Sequence, residues 1–262
     1  MWSERIKGVL LQEAYITRRS LEVIVDLFYT SLVTVVVFGF VSRFLMGVTN
    51  VHTGSYLILG LLLWEIIRVN QYSLSVGSLW NIWSHNLSNM FVAPLSVTEY
   101  VVAHMLSALL KTLVTFCGIC AIAAWWFHFN VLQMGLVNLA LFFANLTMFA
   151  WSVGLVLLGV IFQIGTRIQA LAWGMIFLFQ PLTAAFFPLS ALPPAIRAVA
   201  YTLPPTFVFE AARRALQVPG TNWAYLGIAA AENVAYFALA TAAFAWMLAR
   251  SRLSGRLARA EG

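Results

Sequence analysis

Four stretches of the chain carry no Asp, Glu, Lys or Arg: residues 44–64, 69–98, 112–166 and 168–196. The third alone runs for 55 residues. A soluble fold of this length must cover its surface, and roughly a quarter of its residues are charged. Here the charged fraction is 9% and the hydrophobic fraction 62%. That pattern excludes a water-soluble enzyme, a disordered chain and a nucleic-acid-binding module as first readings. It leaves an all-α integral membrane protein. A helical span takes ~20 residues, so 262 residues hold five to seven spans with short loops.

Six spans are expected, near 23–43, 55–76, 98–126, 133–162, 170–187 and 224–249, in one transmembrane domain covering 1–262. The turn between the third and fourth falls on Trp125 to Asn130, rich in interfacial aromatics. Six crossings put both termini on one side. Arg5, Lys7, Arg18, Arg19, Arg167, Arg250, Arg252, Arg256 and Arg259 then share that side, against Arg43, Arg197, Arg213 and Arg214 on the other. Nine to four favours both termini in the cytoplasm. Residues 1–20 lack an apolar core and a small-residue cleavage site, so they do not read as a signal peptide.

Three segments do not read as spans. In 1–20, Trp2, Ile6, Val9 and Leu10 share a helical face, interrupted by Glu13. This is expected to be an amphipathic helix lying in the cytoplasmic interface. The link 77–97 holds Trp80, Asn81, Trp83, Ser84, His85, Asn86, Ser88, Asn89 and Met90 before Pro94. It is too polar for lipid and fits a short amphipathic helix at a protein contact, with Ser96 or Thr98 capping the next helix and Glu99 complementing its N-terminus. The segment 188–222 carries six of the eight prolines around two apolar runs, 194–203 and 205–217. Each run is too short to cross. Two half-helices dipping into the outer leaflet satisfy their backbone only when packed on protein or lining a water-filled cavity.

No catalytic site assembles. His52, His85, His104 and His128 are scattered without zinc-ligand spacing, so no metal site is expected. No Asp-rich cluster, G-x-S-x-G elbow or G-x-x-x-x-G-K-[ST] loop occurs, so the chain lacks the P-loop cradle for ATP phosphates. Cys117-Gly118-Ile119-Cys120 lies within a span, where cysteine packs as a small apolar residue. A membrane thiol oxidoreductase ranks third among the functional readings. Ionisable groups inside spans are costly and face a bundle interior or a cavity. Glu65 and Arg68 sit three apart on one face and can pair. They line a transport route or fix helix packing. Lys111, midway along the third span, reads as pathway-lining because no partner is evident, with Asp26 and Glu232 as possible ones. These three residues also support an alternative, an ion-coupled secondary transporter.

Three elements carry a family resemblance. Pro94-Leu95-Ser96-Val97-Thr98-Glu99 resembles the P-L-S-x-x-E element after the coupling loop of type-2 ABC transporter permeases. These are the transmembrane subunits of polysaccharide, nodulation-factor and drug exporters. Phe186-Phe187-Pro188 through Leu192-Pro193 resembles their F-F-P-x-x-x-L-P element. Leu203-Pro204-Pro205-Thr206 with Glu210 and Arg213 resembles their L-P-x-T…E-x-x-R segment. The order and spacing agree along nearly the whole chain. Two positions depart: Trp80, Trp83, His85 and Asn86 stand where the loop usually carries charges, and Ala184-Ala185 where Ser-Gly is common.

The resemblance implies a transport subunit, not an enzyme, in the cytoplasmic inner membrane of a bacterium. Two copies would pair with two ABC ATPase subunits, which bind ATP and magnesium; this chain would need no cofactor of its own. Trp80, Asn81, Trp83, His85, Asn86 and Met90 would dock on the ATPase. Phe187, Pro188, Pro193, Pro204, Glu210 and Arg213 would form the outer mouth. Membrane lipids are the other expected partner, nucleic acid is not, and the substrate would be a lipid-linked glycan or a hydrophobic drug-like compound.

Overall fold

The computed structural model describes residues 2–48, 51–92 and 94–254, and those residues are mostly helical, without strands. In chain order the helices are α1 (Trp2–Arg19), α2 (Leu21–Ile24), a π-helical turn (Val25–Tyr29), α3 (Thr30–Val48), α4 (Val51–Trp83), α5 (Leu87–Val92), α6 (Val97–Phe127), α7 (Leu136–Ile164), α8 (Gln169–Leu182), α9 (Pro194–Ala200), α10 (Pro204–Gln217) and α11 (Trp223–Leu253). Five stretches are long and apolar enough to cross a membrane: Leu21–Gly47, Gly54–Trp83, Val97–Phe127, Leu136–Ile164 and Trp223–Leu253. The chain is an all-α membrane protein. Its long helices run between two ends: a near end, where α1 lies against α6, and a far end, where α10 meets the start of α4.

Helix α4 is the central post. It is buried almost along its length and packs on α3, α6, α7 and α8. The expected second span stopped at residue 76, but α4 continues to Trp83. The polar residues that argued for a loop are satisfied inside the bundle: Ser78 Oγ donates to the Leu74 carbonyl (3.0 Å), and Asn81 Nδ2 to Tyr100 Oη (3.1 Å). The helix then closes with a left-handed residue. His85 (φ 51°) donates its N–H to the Ile82 carbonyl, and Asn86 to that of Asn81, each at 2.9 Å. This is a Schellman turn with histidine in the usual glycine position.

Local chemistry fixes the next boundaries. Ser96 caps α6: its Oγ accepts from Glu99 N (3.1 Å), and Glu99 Oε2 accepts from Ser96 N (2.7 Å). This reciprocal box satisfies two N–H groups that the first turn leaves without helical partners. Helix α6 ends at Phe127, with His128 left-handed, so the turn into α7 falls later than expected, at 128–135. Helix α11 packs chiefly on α7; Asn233 Nδ2 donates to the side chain and carbonyl of Asn145 (3.0 Å each), and Ser251 Oγ to the Phe162 carbonyl (2.5 Å).

The helix at the expected fifth span, 170–187, is shorter than expected. Helix α8 has 14 residues, with Pro181 near its end. At 1.5 Å per residue it is about 21 Å long, short of the ~30 Å hydrocarbon core. Proline cannot donate to the preceding turn, and Ala184 (φ 51°) turns the chain away. The path to the far end is completed by 183–193 and the two short helices α9 and α10, which match the two apolar runs. Pro204 and Pro205 open α10 where a missing N–H costs nothing.

Candidate functional site

Tyr100, His104, Ser107 and Lys111 lie at i, i+4, i+7 and i+11, a polar stripe along one face of α6. The N-terminal helix α1 packs against this stripe. Lys111 Nζ donates to Glu13 Oε2 at 2.8 Å, and His104 Nδ1 lies 3.8 Å from Glu13 Oε1. Gln12 Nε2 donates to Asn81 Oδ1 (2.9 Å), Asn81 lies 3.4 Å from His104 Nε2, and the Tyr100 and His104 rings sit 4.3 Å apart. Helix α4 closes the third side at Gly77, where even a Cβ would make only ordinary van der Waals contact with His104 Nδ1, at 3.5 Å. At the start of α1, Arg5 pairs with Glu99 at 3.5 Å. Burial alone would push the Glu13 carboxyl up, but His104 and Lys111 outweigh it and hold the acid below its ordinary range.

Lys111 therefore has a partner, and it is neither Asp26 nor Glu232. Asp26 Oδ2 instead accepts from Tyr72 Oη at 2.6 Å. Glu232 makes no ion pair among the described residues. The partner is the residue that breaks the apolar face of α1. The signal was available: an acid in the apolar face of an amphipathic helix and a polar stripe on an apolar span each lack a partner until they meet.

Glu65 and Arg68 do pair. Arg68 Nη2 donates to Glu65 Oε2 (2.7 Å) and to Ser31 Oγ (2.6 Å), and Nη1 to the Asp26 carbonyl (3.3 Å). Both side chains are buried, so the pair stitches α4 to the first long helix.

The residues expected to dock a partner divide. Asn81 and Met90 are buried; Gln12 Nε2 reaches both, with Met90 Sδ at 3.9 Å. Trp80 and Trp83 are half-buried and pack edge-to-face, centroids 5.2 Å apart. His85 is exposed and Asn86 half-exposed. Two residues outside the expected set, Asn89 and Val92, are exposed as well, Val92 at 87%. Among the described side chains of 77–97 the exposed ones, Ser84, His85, Asn89, Val92, Pro94 and Ser96, all follow α4, and the root of this segment is the polar cluster shared with α1 and α6.

At the far end, Glu210 and Arg213 stand one turn apart on α10, 2.8 Å between charges. Arg213 Nη1 donates to the Ala184 carbonyl (2.9 Å), and Glu210 Oε1 accepts from Leu189 N (2.8 Å). The pair serves the backbone where α8 breaks, a place without helical partners. Phe187 packs over Ala184, Leu189, Leu192 and Ala200. Pro188 precedes the single turn Leu189–Ala191, Pro193 caps α9 and Pro204 begins α10. Gln217 reaches Tyr56 Oη near the start of α4. Cys117 and Cys120 are free thiols. No group of three or more His, Cys, Asp or Glu among the described residues could hold a metal.

A comparison with curated proteins gave no match. A family model described as ABC-2 family transporter protein matches residues 84–250. The match begins at the exposed turn after α4 and runs through the α8 break to the last turn of α11. It covers well over half of the sequence, and the chain belongs to the ABC-2 transporter family.

Proposed function

We propose that the chain is the membrane subunit of an ATP-driven exporter, with two copies working beside two ABC ATPase subunits. ATP and magnesium belong to those partners. The substrate is amphipathic, a lipid-linked glycan or a hydrophobic drug-like compound. The chain crosses the cytoplasmic membrane of a bacterium six times, with the path from α8 through α10 making the fifth crossing and its two short helices lying in the outer leaflet. The near end is cytoplasmic. Arg5, Lys7, Arg18, Arg19, Arg167, Arg250 and Arg252 support this placement; Arg256 and Arg259 lie outside the described residues.

One observation carries the reading. The segment after α4 exposes His85, Asn89 and Val92, turns at a left-handed histidine, and is rooted in a buried cluster that also holds α1 and α6. An ATPase that grips this segment and moves it pulls on α4, α6 and α1 together. Co-expression with the ATPase tests the grip. His85→Ala with Val92→Asp should leave membrane insertion intact and remove ATPase association, since a central docking contact is worth ~2 kcal/mol or more. Undiminished association of that variant overturns the assignment.

A further inference from the structure

An open groove of about 500 Å³ lies in the elbow between α1, the first long helix and α6. Its walls are apolar: Leu10 and Ala14 from α1, Phe28 from the π-helical turn, and Leu110 with Val114 from α6. The π turn at Val25–Tyr29 adds a residue to one helical turn and sets Phe28 in the wall; such turns recur at functional sites. Leu110 and Val114 are exposed at the lip, so the groove opens sideways, onto the surface that faces lipid.

Two cations sit in this apolar setting. Lys111 lies at the floor, its charge offset by Glu13 at 2.8 Å. Arg18 stands at the rim and makes no ion pair among the described residues. The groove therefore keeps one uncompensated positive charge beside space for a chain of methylenes, with the Thr17 hydroxyl next to it. A soluble anion has no use for the apolar walls, and an uncharged tail has none for Arg18.

We propose that this groove holds an anionic glycerophospholipid of the surrounding leaflet, its acyl chain against Phe28 and Leu110 and its phosphodiester at Arg18. The site is separate from the export reading, and its test needs neither ATPase nor substrate. The purified chain in neutral detergent is titrated with dioleoylphosphatidylglycerol and, separately, dioleoylphosphatidylcholine, and lipid retained per chain is counted by native mass spectrometry. The native chain should keep one phosphatidylglycerol, about fivefold more tightly than phosphatidylcholine, the contribution of one basic residue near a membrane surface. Arg18→Gln should bring the two lipids level. Ala14→Trp, at an exposed position that fills the groove, should lower retention of both, and Leu110→Trp repeats that test from the opposite wall. Equal retention of the two lipids by the native chain overturns the proposal. So does a preference that survives Arg18→Gln, or retention unaffected by both tryptophan variants.

Discussion

At the far end, Glu210 and Arg213 stand one turn apart on the same helix and hold the broken backbone at 184–189. At the near end, Glu13 and Lys111 are 98 positions apart and join two separate helices. The first pair closes on itself whatever the rest of the molecule does; its work is to serve carbonyl and N–H groups that would otherwise be orphaned in an apolar setting. The second exists only while α1 stays seated on α6. Local pairs of this kind fix a shape, whereas a pair bridging two bodies makes each feel the other's movement.

The largest expected effect breaks the far end. Arg213→Ala strips the Ala184 carbonyl of its side-chain donor and leaves the part-buried Glu210 with Leu189 N alone, and each group left short costs ~1–3 kcal/mol. Denaturant unfolding in detergent should register most of that loss, and Glu210→Gln added on top should not restore it, because the carbonyl stays unserved. The near end should respond differently. Lys111→Ala alone should cost about 1–3 kcal/mol by stranding the Glu13 carboxylate. Pairing it with Glu13→Gln should recover part of the loss, and a double-mutant cycle should return a coupling on the order of 0.5–3 kcal/mol. Additive losses at the near end would erase the distinction between the two sites.

Much of this arrangement was legible in the sequence. Charge-free stretches set the spans, prolines marked the two short helices after α8, and Ser96-x-x-Glu99 announced its own cap. The Glu65–Arg68 pair followed from helical spacing alone. What escaped has a common physical reason. Residues 77–83 look like a loop because Ser78 and Asn81 are polar, yet their partners, the Leu74 carbonyl and Tyr100, bury them in a helix. Glu13 looked like a flaw in an apolar face because its partner lies 98 residues away. Past the early end of α8, the Ala184 carbonyl finds its partner in Arg213, 29 residues on. Long-range partners convert costly polar groups into tolerable ones, and local pattern does not see them.

Steric tests sharpen the comparison further. A Cβ on Gly60 would run into the Ala185 carbonyl, which is backbone and already held by Arg213. Gly60→Ala should therefore cost toward the upper end of the overpacking range of ~1–3 kcal/mol. Gly159→Ala meets only the flexible end of Met247 and should cost less. Thermal unfolding of the two variants side by side checks the order.

Acid should act weakly on the near end. The folded state holds the Glu13 carboxyl below its ordinary value of 4.5, so the stability it lends is fully present above that value. It fades as pH falls through the lowered native value. Protease accessibility of α1 should rise in that acid window, and Glu13→Gln should reduce the pH dependence, leaving the part that belongs to the Arg5–Glu99 pair. Accessibility that climbs identically in both proteins would assign the acid effect to another group.

The central claim is that α1, α6 and the segment 84–92 move as one body. Spin labels at Leu11→Cys and Asn89→Cys, with Cys117 and Cys120 replaced by alanine, report the distance from α1 to that segment. A second pair, Asn89→Cys and Leu136→Cys, reports the distance from the segment to the far end. Both are measured by pulsed electron resonance in the complex with its ATPase, nucleotide-free and ATP-trapped. The expected result is a narrow, unchanged distance for the first pair and a shifted one for the second, with Glu13→Gln broadening the first. A first-pair distance that shifts with ATP in the native chain, or stays narrow in Glu13→Gln, contradicts the claim.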